Sequence, residues 1–137
     1  FFSYYISSSQ VGKLMKIGGK IVNISSVAGT LVQKNRSIYS ISKHAVNGLT
    51  KALVADLAYK KIIVNSVSPG PTKTQMVRKN LSKRNINKIC KLIPLARLAS
   101  TKEISSLVIF LVSDYNNYIN GQNIFIDGGL TSFINFD

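Results

Sequence analysis

Three short apolar runs set the framework of this chain: K-I-V-N-I at 20–24, K-K-I-I-V-N-S-V at 60–67 and N-I-F-I-D at 123–127. Each is bounded by turn formers or charge; the first two read as buried strands and the third as a short strand. The stretches around them have helical character. Residues 1–16 carry Phe2, Ile6, Val11, Leu14 and Met15 at roughly helical spacing. A second helix runs from Ser37, a plausible N-cap, to Tyr59. Residues 74–91 are polar, basic and weakly periodic, a candidate mobile helical lid ended by Pro94. Thr101 opens a last helix through Val112. The order helix–strand–helix–strand–helix–helix–strand predicts an α/β fold, because parallel strands need crossover helices that then cover the sheet.

At 137 residues with 45% apolar composition the chain has the length of one ordinary domain, and no Gly/Ser linker divides it. No apolar run approaches the ~20 residues of a membrane span, and the first residues lack the basic flank and cleavage site of a signal peptide. The single cysteine, Cys90, excludes an internal disulfide and fits a reducing, cytoplasmic setting. With one His and no carboxylate cluster, no metal site is expected. The net charge of +13 invites a nucleic-acid reading, but the lysines are scattered rather than striped, so none is expected. One local excess stands out: Lys73, Arg78, Lys79, Lys83, Arg84, Lys88, Lys91 and Arg97 follow one another with no acid among them. It reads as a solvated helix face or as a site for an acidic substrate.

The candidate chemistry lies at 25–43, S-S-V-A-G-T-L-V-Q-K-N-R-S-I-Y-S-I-S-K. Ser25 and Ser26 end the first strand, and Tyr39 and Lys43 stand four apart on the following helix, hence on one face. A phenol is a poor proton acceptor at neutral pH, and an ammonium one helical turn away favours its ionised form. A strand-end hydroxyl such as Ser26 could hold the same substrate oxygen. These groups suit protonating a carbonyl oxygen, or deprotonating an alcohol, while a hydride moves. Ser26 lies in no G-x-S-x-G elbow and has no His–acid pair in sight, so a serine hydrolase is not expected. At the end of the second strand, S-P-G-P at 68–71 forces a turn at the edge where open parallel sheets bind ligands.

Four segments together, I-S-S-V-A-G at 24–29, Y-S-I-S-K at 39–43, V-N-S-V-S-P-G-P-T-K-T at 64–74 and I-N-G-Q-N-I-F-I-D-G-G at 119–129, resemble the C-terminal half of a short-chain dehydrogenase/reductase. The likeness covers nearly the whole chain and looks closest to 3-oxoacyl-(acyl carrier protein) reductases. It implies a Rossmann-type doubly wound parallel sheet, here about three strands with flanking helices, as a partial single domain over 1–137. It implies Ser26, Tyr39 and Lys43 as catalytic residues, with Lys43 also bonding the nicotinamide ribose. Tyr39, Lys43, Pro69, Gly70, Thr72 and Thr74 would bind the cofactor, NAD or NADP. A small-molecule or acyl-carrier-borne carbonyl substrate, a substrate lid at about 75–97 and a homotetramer or dimer built on the Tyr39 helix follow from the same likeness. The family's glycine-rich phosphate loop and its asparagine would precede Phe1, so the chain reads as missing the N-terminal half and, alone, as unable to hold a dinucleotide. A sugar-nucleotide epimerase or dehydratase of the extended branch shares the Tyr-x-x-x-Lys pair, but P-G-P-T-K-T and the D-G-G ending argue against it. A non-catalytic remnant is the remaining alternative.

Overall fold

The structure, a computed structural model, describes residues 2–133, the Arg78 side chain excepted. Its elements run α1 (Phe2–Leu14), β1 (Lys20–Ile24), α2 (Ser37–Asp56), β2 (Ile63–Pro69), α3 (Gln75–Asn80), α4 (Lys83–Lys91), α5 (Thr101–Val112) and β3 (Asn123–Ile126). The three strands form one parallel sheet in the order β1-β2-β3, with Ile24 opposite Val67 and Pro69 opposite Ile126. This is the α/β alternation expected from the sequence.

β2 is the centre of the molecule. Successive residues of a strand point to opposite faces, and Val64 through Ser68 are all buried, so both faces of β2 are covered. On one side Val64 packs with Leu49, Leu53, Leu57 and Ile62 into the apolar core. Helix α5 lies against β1 and β2 and contributes the fully buried Leu111. The polar residues of β2 bring their own partners. Ser66 and Ser68 donate to Asn123 Oδ1 at 3.0 and 2.6 Å, and Asn65 donates to Ile119 O at 2.6 Å while accepting from Gln122 N at 3.0 Å. Buried polar groups satisfied in this way cost little, and these bonds dock β3 onto β2. Because all three strands are parallel, their C-terminal ends share one edge of the sheet.

Local boundaries differ from the sequence reading where backbone geometry intervenes. Asn35 takes a left-handed φ of 63°, which completes the turn early: Arg36, not Ser37, is the N-cap of α2, with no side-chain bond. The helix ends at Asp56, and a short 3-10 turn, Ala58–Lys60, plus Lys61 at φ 53° delays β2 to Ile63. Pro69 still belongs to β2, because the next bond to β3 is donated by Gly70 N to Ile126 O at 3.0 Å and needs no proline N–H. The region 75–97 holds two helices, α3 and α4, separated at Leu81 and Ser82, where the Ser82 hydroxyl caps α4. Phe1, where the sequence reading begins its first helix, lies outside the described residues.

Helix α1 buries a different stripe from its most apolar one. Phe2 is 77% and Leu14 86% exposed, and Ile6 and Val11 are exposed as well. Ser8 and Gly12 form the buried stripe instead. At Gly12 an added Cβ would meet Leu57 Cδ1 at 2.5 Å, so the missing side chain is what lets α1 seat on Leu57. Tyr4 and Met15 pack against the same core.

Candidate active site

The strand-end serines divide their labour. Ser25 is buried: its N–H donates to Val67 O at 2.8 Å and its hydroxyl to Lys43 O at 3.1 Å, tying the end of β1 to both β2 and α2. Ser26 is half-buried, and its Oγ accepts from Ala28 N at 3.2 Å, capping the 3-10 turn Val27–Gly29. That turn lies so close to α2 that only glycine fits at its end. A Cβ on Gly29 would come within 2.7–2.9 Å of Asn47 Nδ2, Lys43 O and Ser25 Oγ. Asn47 clamps the same turn by donating to Gly29 O at 3.0 Å.

On α2, Tyr39 and Lys43 share a face. The Lys43 ammonium donates to Ile24 O at 3.0 Å and to the Tyr4 hydroxyl at 3.4 Å. It lies 5.2 Å from the Tyr4 ring centroid and 5.8 Å from that of Tyr39, a cation held between two aromatic faces. Tyr4 in turn donates to Ile24 O at 2.9 Å. The long, flexible lysine is thereby fixed, while Tyr39 remains 42% exposed toward the open side.

The opposite wall comes from the turn after β2. Gly70 passes so close to Asp127 that a Cβ would sit 2.7 Å from its Cα. Thr72 donates to Gly70 O at 2.9 Å, and Thr74 caps α3 by accepting from Val77 N at 3.3 Å. Asp127 organises the D-G-G turn, accepting from Gly129 N, Thr131 N and the Thr131 hydroxyl at 2.7–2.9 Å. Burial opposes ionisation of its carboxyl, but those bonds outweigh it and hold the group below the usual carboxylate range. The start of α5 completes the wall through a capping box, in which Ser100 and Glu103 exchange bonds. The Arg97 guanidinium, paired bidentately with Glu103 at 2.6 and 3.0 Å, together with the Ser100 bonds lowers the Glu103 carboxyl to about 2.

These walls enclose a cleft of about 440 Å³. Ser26, Tyr39, Lys43, Pro69, Gly70, Thr72 and Thr74, all selected from the sequence, line it together. Thr101, Ile104 and Ser105 also line it without having been selected, and three supporting residues behind the lining escaped the sequence reading too. Tyr4 and Asn47 carry no local motif, and their roles arise from side chains meeting across 20 and 18 residues of chain. Asp127 sits in the D-G-G motif, but its turn-capping function needs the backbone geometry.

The donor set fits the nicotinamide end of NAD or NADP. The Lys43 ammonium and the hydroxyls of Tyr39, Thr72 and Thr74 suit ribose hydroxyls and a carboxamide, while Ile24, Pro69 and Ile104 offer apolar flanks to a flat ring. Among the described residues no glycine-rich strand-to-helix loop presents amides to a pyrophosphate, so these residues account for one end of such a molecule.

A sequence profile described as enoyl-(acyl carrier protein) reductase matches residues 1–131. The trans-4-hydroxycyclohexanecarboxylate dehydrogenase of Sinomonas cyclohexanicum is 47% identical over 115 residues, covering 84% of this chain and 42% of the relative. The 3-oxoacyl-(acyl carrier protein) reductase FabG of Buchnera aphidicola subsp. Baizongia pistaciae is 39% identical over 128 residues, covering 93% of this chain and 52% of the relative. Among solved structures, a gluconate 5-dehydrogenase from Burkholderia cenocepacia J2315 in complex with NADP and tartrate is similar with a TM-score of 0.80. It is 34% identical, over 94% of this chain and 49% of that one. The chain thus spans about half the length of the relatives it matches. By profile, by relatives and by the arrangement of strand ends around the Tyr39 helix, the chain belongs to the short-chain dehydrogenase/reductase family.

Proposed function

We propose that this chain forms the catalytic half of an NAD(P)-dependent oxidoreductase interconverting a carbonyl and an alcohol. The observation that carries the reading is the convergence of Ser26, Tyr39 and Lys43 with Pro69, Gly70, Thr72 and Thr74 on one cleft at the strand ends. Names of relatives, dehydrogenases and reductases among them, support it. A nicotinamide cofactor, when bound, supplies or accepts the hydride. The Ser26 hydroxyl donates to the substrate oxygen and orients it. The Tyr39 hydroxyl gives that oxygen its proton in reduction and takes it back in oxidation. Lys43, braced on Ile24 O and Tyr4, holds positive charge beside the Tyr39 ring and so stabilises the phenolate left after proton transfer. Lys43, Thr72 and Thr74 would hold the ribose and carboxamide, with Pro69 and Gly70 flanking the ring.

In the same reading α3 and α4 form the substrate lid over 75–97. The exposed apolar faces of α1 and α2, with Phe2, Ile6, Ile38 and Ile41, serve a homo-oligomer. The carbonyl substrate is a small molecule or is carried on an acyl carrier, and the lone thiol suits the cytoplasm. No helix among the described residues is long and apolar enough to cross a membrane. The 137 residues alone hold no dinucleotide, since nothing described among them cradles a pyrophosphate. Calorimetry on this piece and on a chain of full family length tests the reading. Cofactor binding restricted to the longer chain, with carbonyl-dependent oxidation of NADH or NADPH that Tyr39→Phe abolishes, is the expected result. A longer chain that binds no dinucleotide sinks it.

A further inference from the structure

A second cavity, about 610 Å³, adjoins the catalytic cleft. The two are built from the same loops: Val27 follows Ser26 of the cleft, and Pro71 stands between Gly70 and Thr72. Its floor is apolar, made by Val27, Leu31 and Val32 after β1 and by Ile89 and Leu92 at the end of α4. On α4, Asn85, Lys88, Ile89 and Leu92 recur at three- and four-residue spacing, so one face of this helix turns to the cavity. Lys83, Arg84 and Lys91 belong to the rest of the helix and do not line it.

Two charged side chains reach this apolar space, Arg36 and Lys88, and no Asp or Glu lines it. Arg36 stands three residues, about one helical turn, before Tyr39. Neither cation has a side-chain hydrogen bond or ion pair among the described residues, whereas Arg97 is taken up by Glu103. We propose that this cavity receives the apolar body of the substrate and that Arg36 and Lys88, which both line it, grip a carboxylate carried on that body. The guanidinium fork matches the plane of a carboxylate and binds it through two parallel bonds, with the lysine adding a point charge. The substrate class is then a carbonyl compound, or its alcohol, with a short apolar chain or ring ending in an acid. What becomes of the ligand rests on the oxidoreductase reading; its binding does not.

Calorimetry on a chain of full family length separates the two. Hexanoate and its neutral isostere hexanamide are titrated into the unmodified protein, Arg36→Gln, Lys88→Gln and the double variant Lys83→Gln/Arg84→Gln. Turnover of 5-oxohexanoate and its methyl ester is measured alongside. The expected result is hexanoate binding about tenfold tighter than the amide, a preference lost in Arg36→Gln and reduced in Lys88→Gln. The Lys83/Arg84 variant keeps it within about twofold, and the oxo acid outperforms its ester in kcat/KM by about the same tenfold. Equal affinity for acid and amide overturns the proposal. So does a loss in the Lys83/Arg84 variant as large as that in Arg36→Gln, which marks bulk charge rather than this cavity. Tighter binding of hexylphosphonate than of hexanoate overturns the carboxylate assignment. Selective hexanoate binding without NAD(P)-linked turnover upholds the site and sinks the oxidoreductase reading instead.

Discussion

The two walls around the cleft and the cavity beside it are held in opposite ways. The wall of Ser25, Ser26, Gly29, Tyr39 and Lys43 is over-determined. Ser25 is bonded to β2 and α2, the Gly29 turn is pressed against α2 with no room for a methyl group, and Lys43 has two oxygen partners and two rings. The wall contributed by α4 and Arg36 is looser: Ser82 caps α4, no residue of that helix is buried, and Arg36 and Lys88 have no side-chain hydrogen bond or ion pair among the described residues. Under the proposed function, the first arrangement would keep the reacting groups in place, as proton transfer requires. Under the same proposal, the second could vary its side chains without disturbing the chemistry, as substrate selection requires.

Substitutions in the rigid wall should therefore cost most. In a chain of full family length, Tyr39→Phe should lower kcat by about three orders of magnitude while the melting temperature stays put. A variant retaining more than a tenth of the activity would remove the phenol from the proposed proton transfer. Gly29→Ala should destabilise the fold by about 2 kcal/mol, since the new methyl group meets the Lys43 carbonyl, which α2 fixes in place. Urea unfolding measures this, and a change under about 0.5 kcal/mol would show that the turn yields after all. Tyr4→Phe keeps the ring beside Lys43 but deletes the hydroxyl that bonds Ile24 O and Lys43. A loss of about fivefold in kcat with unchanged substrate KM is expected if the brace positions the ammonium. Equal losses in Lys43→Met with and without the Tyr4 hydroxyl would confirm that Tyr4 acts through Lys43.

The smallest effect concerns the start of α5, which closes the cleft beside Thr101 and Ile104. Glu103 has its carboxyl lowered from 4.5 to about 2 by Arg97 and Ser100. A carboxylate with a depressed folded value stabilises the fold fully above its ordinary value and loses that contribution as the pH falls through the folded one. The pair is solvent-exposed, so screening keeps the effect small. The melting temperature of the unmodified protein should approach that of Glu103→Gln between pH 5 and pH 2, and stay above it at pH 7. Parallel curves across that range would show that the capping box does not depend on the charge.

Much of the Tyr39 wall was legible in the residue order. Tyr39 and Lys43 share a face because four residues make about one helical turn, and S-P-G-P must end a strand because proline and glycine break pairing. Strand–helix alternation required parallel strands, which places every strand end on one edge and so gathers Ser26, Gly70 and Asp127 there. These are local or topological consequences of covalent geometry. Which face of a helix is covered is not, because periodicity sorts residues into stripes without saying what lies opposite each stripe. Helix α1 buried Ser8 and Gly12 because Leu57 needed the space a glycine leaves, although Phe2, Ile6, Val11 and Leu14 form the more apolar set. The basic run at 73–97 likewise looked uniform as a string. In the folded chain Lys88 lines the cavity and Lys83 and Arg84 do not, while Arg36 joins the same lining from fifty-two residues upstream.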